Sequence, residues 1–94
     1  MTVAVKFLGS FRNIVGKDEI NLAIQHPLKL EDFIKTIIEK WPALKTVLPD
    51  SELSYLKTYS LIFVNGKEVS VLNGLDTILK DGDEVVFIPV LHGG

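Results

Sequence analysis

A single amphipathic helix is the feature that most constrains how this chain folds. Apolar residues recur at helical spacing between residues 30 and 40 and form one broad stripe, while Glu31 and Asp32 complement the helix dipole in the first turn. Pro42 ends the run because a proline disfavours helix at the residue before it. Such a helix must bury its stripe against another element, and the rest of the sequence offers strands.

Two-residue alternation of apolar side chains predicts strands on both sides of the helix. Two strands precede the helix and should pair as a hairpin around a loop at residues 9–18. After the helix, Asn65-Gly66 is a strong hairpin signal because both residues adopt positive φ at low cost. We therefore expect an α+β fold in which one main helix packs across a sheet of four to five strands. The predicted strands are residues 2–8, 19–25, 61–64, 67–70 and 84–90.

The connecting segments carry weaker signals. Residues 42–59 include apolar side chains, Leu53 and Leu56 among them, that could anchor a short helical turn on the core. Residues 75–79 are compatible with one more helical turn. Three of the four residues at 81–84 are acidic, but they lack the ligand number and spacing of a calcium loop and indicate a solvated turn.

Composition excludes several classes of function. The chain has no cysteine, which excludes a disulfide, a thiolate metal site and a cysteine nucleophile, and its two histidines are not spaced as metal ligands. A net charge of −2 without a basic block gives no support for direct binding to nucleic acid or membranes. Phosphate-binding loops and Ser/His/Asp arrangements are absent, so we expect no catalytic activity from this chain alone. The first residues resemble a strand rather than a signal peptide, which favours a cytoplasmic protein.

The sequence ends in Gly93-Gly94, beyond the last predicted strand. We expect a domain of residues 1–90 followed by a flexible tail of residues 91–94, which would reach about 13 Å when extended. Glycines without a Cβ let such a tail enter a narrow channel, where its carboxylate could be adenylated by ATP and then converted by a sulfur donor into a thiocarboxylate. From the dipeptide alone, a frayed end is the simpler interpretation.

The last predicted strand is apolar on both of its faces. One helix covers only one side of a sheet, so the other side is either an exposed partner-binding patch or is covered by residues 42–59. The sequence leaves these two interpretations equal. If Phe87 faces the core, the outward set is Val86, Ile88 and Val90.

Together these segments resemble the small sulfur carriers typified by MoaD, the small subunit of molybdopterin synthase, and ThiS, the thiamine sulfur carrier. The likeness covers nearly the whole chain in order, and its most specific part is an Asp-Gly-Asp-Glu-Val turn followed by Phe-Ile-Pro and the terminal Gly-Gly. The resemblance implies the ubiquitin-like β-grasp fold, with a mixed sheet. The matching pieces are residues 3–7, 40–42, 63–69, 79–85, 87–89 and 93–94.

The resemblance also implies a function. Gly94, preceded by Gly93, would be adenylated by a ubiquitin-activating-type enzyme that uses ATP, and would then carry sulfur as a thiocarboxylate. The chain itself would bind no cofactor and no metal. Its partners would be that adenylating enzyme and a sulfur acceptor, such as the large subunit of molybdopterin synthase. The residues expected to dock on these partners are Val86, Ile88, Val90, Leu91 and His92.

Two departures from the family pattern leave the pathway open. Similar proteins have a second proline where this chain has Val90. The ending Leu91-His92-Gly93-Gly94 is closer to the ubiquitin-related modifier that serves tRNA thiolation and attaches to lysines. The alternatives to a role in molybdopterin synthesis are therefore that modifier role and a non-catalytic β-grasp binding module.

Overall fold

Hydrophobic strands from the two ends of the chain lie side by side at the centre of the sheet. The computed structural model describes residues 1–55 and 60–90, and in it strand β1 (Thr2–Phe7) runs parallel to strand β7 (Glu84–Pro89). The other strands are β2 (Glu19–Ala23), β3 (Leu28–Lys29), β4 (Ser60–Val64), β5 (Lys67–Glu68) and β6 (Ile78–Leu79). The helices are α1 (Ser10–Val15), α2 (Leu30–Lys40) and α3 (Glu52–Tyr55). Short 3-10 turns occupy Pro42–Thr46, Val69–Val71 and Gly74–Asp76.

The main sheet is mixed and has five strands in the order β2-β1-β7-β4-β5, while β3 and β6 form a separate antiparallel pair. The hairpin of β1 and β2 confirms the predicted pairing. The second hairpin turns at Asn65 and Gly66, whose φ values of 51° and 82° are the positive values that the turn requires. These features confirm the predicted α+β fold with one main helix.

The core lies between the sheet and α2. Helix α2 has the bounds that the hydrophobic stripe predicted, and its stripe is buried at Leu30, Phe33, Ile34 and Ile37. At its end the Trp41 ring meets Phe7 edge-on with ring centroids 6.0 Å apart, and Phe7 stacks on Phe87 at 5.8 Å. Alternate strand residues face this helix and are buried: Val3, Val5, Phe7, Ile62, Val64, Val85 and Phe87.

Helix α1 replaces part of the predicted loop at residues 9–18. It begins after Gly9 without a side-chain cap and ends at Gly16 in the left-handed conformation. Phe11 is buried and Val15 packs against the core. A helix of six residues shows too little periodicity to be recognised in the sequence, and tertiary packing of Phe11 stabilises it.

The segment after α2 packs on the same side of the sheet as α2. Leu44 and Leu48 are buried in the one core cluster that also contains the α2 residues, so the described part of residues 42–59 adds to that core. Leu53, expected to be an anchor, is instead 66% exposed. It lies on α3, which is a single helical turn, and its side chain faces solvent. Leu56 lies outside the described residues.

Two shorter predictions need correction. The expected helical turn at residues 75–79 ends as a 3-10 turn at Asp76, and Ile78–Leu79 is a strand because it pairs with β3. Strand β5 stops after two residues because Val69 turns inward and is fully buried. Within residues 1–55 and 60–90, no helix has both the length and the apolar character needed to cross a membrane.

Candidate functional site

The face of the sheet opposite α2 carries an apolar patch at its centre. Because Val85 and Phe87 are buried, Val86 and Ile88 point to the opposite face, where both are half-buried. The strand register places Phe63 beside Val86 and Leu61 beside Ile88. Leu61 is 40% exposed. We call this surface, made of Leu61, Phe63, Val86 and Ile88, the outer face.

Leu8 and Val90 extend the outer face at the end where the chain leaves β7. Leu8 follows β1, and its backbone N–H donates to the Phe87 carbonyl oxygen at 3.1 Å, which places Leu8 next to Ile88. Leu8 is 41% exposed and Val90 is 42% exposed. Apolar side chains are thus continuous with the last described residue of the chain.

Charged residues surround the outer face. Lys6, which lies beside Val86 on β1, forms an ion pair of 3.2 Å with Glu84. Glu19 lies opposite Lys6 on β2, and Glu68 lies opposite Phe63 on β5. An apolar centre with a charged rim is the usual composition of a protein-binding patch.

A close contact between Gly9 and Pro89 fixes the position of the chain at the end of β7. Gly9 has φ +57°, and a Cβ on it would lie 2.8 Å from Pro89 Cγ, so only glycine leaves room for the proline ring. Pro89 is paired on its other side with Ser60 of β4. The last strand residue is therefore held between α1 and β4, next to the start of the predicted tail.

The acidic turn before β7 uses its carboxylates within the fold. The Asp83 carboxylate accepts hydrogen bonds from the Asn65 amide, at 3.0 Å, and from the Lys80 backbone N–H, at 2.9 Å. Asp81 accepts from the Thr2 backbone N–H at 2.8 Å. Among residues 1–55 and 60–90, no group of three His, Cys, Asp or Glu side chains is arranged to hold a metal. These carboxylates tie the turn to β1 and to the second hairpin.

The predicted site residues divide into two groups. Val86 and Ile88 lie where the conditional facing assignment placed them, and Val90, which follows the end of β7, is exposed. The role of these three residues in partner binding stays a prediction. Leu91, His92, Gly93 and Gly94 lie outside the described residues. Sequence reasoning missed Leu8, Leu61 and Phe63 as members of the same surface. The signal was present in residues 60–64, because a strand that buries Ile62 and Val64 must turn its other apolar residues outward.

The five-stranded mixed sheet with one main helix packed across it defines the structural class of the chain, which is a ubiquitin-like β-grasp protein. The family model for the ThiS family matches residues 5–94, and the chain belongs to that family.

Of the similar proteins, some are named as modifier proteins and others as sulfur carriers. The chain is 28% identical over 95 residues to small archaeal modifier protein 3 of Haloferax volcanii, and 30% identical over 94 residues to a molybdopterin synthase sulfur carrier subunit of Chlamydomonas reinhardtii. Both alignments cover 100% of each protein. Among solved structures, the Haloferax volcanii HVO 2177 protein matches with a TM-score of 0.82 and 28% identity, over 100% of this chain and 87% of that one. The chain is thus a member of the ubiquitin-like sulfur carrier and modifier family.

Proposed function

We propose that this chain is a sulfur carrier that donates sulfur in molybdopterin synthesis as the small subunit of molybdopterin synthase. The observation that carries the proposal is the continuity of the apolar outer face with strand β7, which leads toward Gly93-Gly94. A partner that binds this face also receives the end of the chain. Membership of the ThiS family and the full-length likeness to a molybdopterin synthase sulfur carrier subunit support the same role.

The proposed chemistry takes place on the carboxylate of Gly94, within other proteins. A ubiquitin-activating-type enzyme binds ATP, the carboxylate attacks its α-phosphate, and pyrophosphate leaves. A donor of sulfur at the sulfide level, as hydrosulfide, then attacks the carbonyl carbon of the acyl adenylate: a C–S bond forms, the C–O bond to AMP breaks, AMP leaves, and loss of the sulfur-bound proton gives the thiocarboxylate. The large subunit of molybdopterin synthase accepts this sulfur and contributes the catalytic groups, because this chain has no cysteine and shows no catalytic constellation in its sequence.

Mass spectrometry of the intact protein tests this role. The chain is purified under gentle conditions from cells that make the molybdenum cofactor, and the expected product is a chain in which one terminal oxygen is replaced by sulfur. A variant with one alanine added after Gly94 is the matched control, because it keeps the domain but moves the carboxylate away from the glycine. If this extended variant fully restores cofactor synthesis in cells that lack the natural chain, the carrier role is wrong.

A second candidate is a ubiquitin-related modifier that serves tRNA thiolation or attaches to lysines. The specific support is the full-length likeness to a protein named as a small archaeal modifier, together with the ending at residues 91–94. Isopeptide bonds between Gly94 and lysines of other proteins, found in tryptic digests, would favour this candidate. A binding module without terminal chemistry is favoured only if the extended variant retains all function.

A further inference from the structure

Two Asn-Gly dipeptides lie on the surface of the domain, at Asn65-Gly66 and at Asn73-Gly74. Both asparagines are exposed, and both glycines have positive φ, 82° at Gly66 and 56° at Gly74. A glycine that follows asparagine has no Cβ to shield its backbone nitrogen, so this nitrogen is accessible to the carboxamide of the asparagine. The two dipeptides are alike in sequence and in exposure, but the contacts of their side chains differ.

The Asn65 side chain is held at both of its polar atoms. Its Nδ2 donates to the Asp83 carboxylate at 3.0 Å, and its Oδ1 accepts from the Glu84 backbone N–H at 2.9 Å. Asp83 is 9% exposed and also accepts from the Lys80 backbone N–H, so the carboxylate that holds Asn65 is itself fixed. We call the contacts of Asn65 with Asp83 and Glu84 the Asn65 clamp. The carboxamide cannot turn toward the Gly66 nitrogen unless both of these hydrogen bonds break.

The Asn73 side chain has no such restraint. Asn73 precedes the 3-10 turn at Gly74–Asp76, and its carboxamide forms no hydrogen bond to any residue in 1–55 or 60–90. Only its backbone is held, because its N–H donates to the Thr77 hydroxyl at 3.2 Å and its carbonyl accepts from the Asp76 N–H at 3.0 Å. The carboxamide is therefore able to rotate beside the backbone nitrogen of Gly74.

We propose that Asn73 deamidates spontaneously in the folded protein, whereas the Asn65 clamp prevents the same reaction at Asn65. The backbone nitrogen of Gly74 loses its proton and attacks Asn73 Cγ. A new C–N bond forms, the bond from Cγ to the side-chain nitrogen breaks, and ammonia leaves with the proton. Water from the solvent then opens the resulting succinimide at one of its two ring C–N bonds, and the product is aspartate or isoaspartate.

The protected asparagine is the one whose modification would damage the fold. Deamidation of Asn65 would replace its donor Nδ2 by a carboxylate oxygen, which would face the Asp83 carboxylate where the two side chains are now 3.0 Å apart. Two like charges this close repel each other, and the turn would lose its attachment to the start of β7. The same change at Asn73 breaks no side-chain hydrogen bond to a described residue. This site goes beyond the proposed sulfur-carrier role and does not depend on it.

Peptide mapping by mass spectrometry tests the proposal. The full chain is incubated in its folded state at mildly alkaline pH and then digested with trypsin, which separates the two asparagines by cleaving after Lys67. Deamidation is measured as the mass gained when NH2 is replaced by OH. Asn73 should react faster than Asn65 by about tenfold or more, because two hydrogen bonds, one of them to a charged group, must first break at Asn65. Blocked peptides of residues 63–67 and 71–75, which lack the clamp, should react at similar rates.

The Asp83→Ala variant tests the clamp itself. It should raise the Asn65 rate toward that of the peptide and leave the Asn73 rate unchanged, which also shows that the variant is folded. Asp81→Ala is the matched control, because Asp81 lies in the same turn but accepts from the Thr2 N–H rather than from Asn65. Equal rates at the two asparagines of the folded natural chain would overturn the proposal, and so would an Asn65 rate that Asp83→Ala leaves unchanged or that Asp81→Ala raises equally. If Asp83→Ala does not fold, the ratio of the two rates in the natural chain, compared with the ratio in the peptides, decides the question.

Discussion

Replacing Gly9 by alanine should destabilise the domain far more than the same replacement at Gly16. Both glycines flank α1 and both have positive φ, +57° at Gly9 and +84° at Gly16. They differ in their surroundings: a Cβ on Gly9 would lie 2.8 Å from Pro89 Cγ, whereas a Cβ on Gly16 would meet nothing within 4 Å.

The expected costs follow from these two geometries. At Gly16 alanine carries only the strain of the left-handed conformation, about 1–2 kcal/mol. At Gly9 the backbone strain is about 1–3 kcal/mol, since ψ is −136° and the region is rarely adopted by L-residues. Moving the Pro89 ring to relieve the overlap adds about 1–3 kcal/mol, the usual cost of overpacking. Gly9→Ala should therefore cost about 2–6 kcal/mol in total.

Urea unfolding of a double-mutant cycle separates the steric part from the backbone part. Pro89→Ala removes the ring atoms Cγ and Cδ, so combining it with Gly9→Ala should recover about 1–3 kcal/mol relative to the sum of the single changes. The backbone strain stays in the double variant because the φ of residue 9 is unchanged. Additive effects of the two substitutions, or a Gly9→Ala cost no greater than that of Gly16→Ala, would refute the steric argument.

The same variants test whether the contact between Gly9 and Pro89 also positions the end of the chain for activation. We expect Gly9→Ala to slow the ATP-dependent activation of Gly94, measured as pyrophosphate release at a temperature where the variant is fully folded. Gly16→Ala should activate at the normal rate. If both activate normally, the contact between Gly9 and Pro89 serves stability alone.

Three further predictions concern the core, the outer face and the tail. Ile37→Ala should lower the free energy of unfolding by about 2–5 kcal/mol, because Ile37 is fully buried, whereas Phe63→Ala, on the outer face, should cost less; urea titration compares them. Leu61→Asp should weaken binding to the adenylating enzyme about tenfold or more, measured by calorimetry, while Val71→Asp, at a residue 74% exposed outside the outer face, should not. Gly93→Phe should block pyrophosphate release without changing the thermal unfolding midpoint, since we expect the tail to fit a narrow channel and to add nothing to the core. A lower midpoint for Gly93→Phe would contradict this expectation.

Elements with a long repeat or a strong turn signal could be predicted from the sequence. Helix α2 was predicted at Leu30–Lys40 because its stripe is long and Pro42 limits it, and the Asn65-Gly66 turn was predicted by its need for positive φ. Helix α1 could not be predicted, because its stability depends on placing Phe11 in a core assembled from distant segments. The pairing of β3 with β6 depends likewise on a contact between residues far apart in sequence.

Which face of β7 is buried could not be predicted from the sequence, so the candidate site could be located only in the structure. Both faces of this strand are apolar, so alternation alone could not decide which one is buried. The strand register shows which face of β7 is buried, because it places Phe87 beside Phe7. The rings of Phe7 and Phe87 stack, and the Phe7 ring also meets the ring of Trp41 at the end of α2. Leu44 and Leu48 of the segment 42–59 pack in the same core as α2, and residues 56–59 lie outside the described residues, so the described part of this segment lies on the side of the sheet away from the outer face.

The central position of β7 has a mechanical consequence for a tail that is drawn into another protein. Strand β7 is bonded on one side to β1 and on the other to β4, and Pro89 is held against Gly9. A tail continuing from an edge strand would be held by one ladder only, and a partner's pull could peel that strand away. Here the same pull would act against two ladders at once, so we expect the domain to stay folded if a partner draws on the end of the chain.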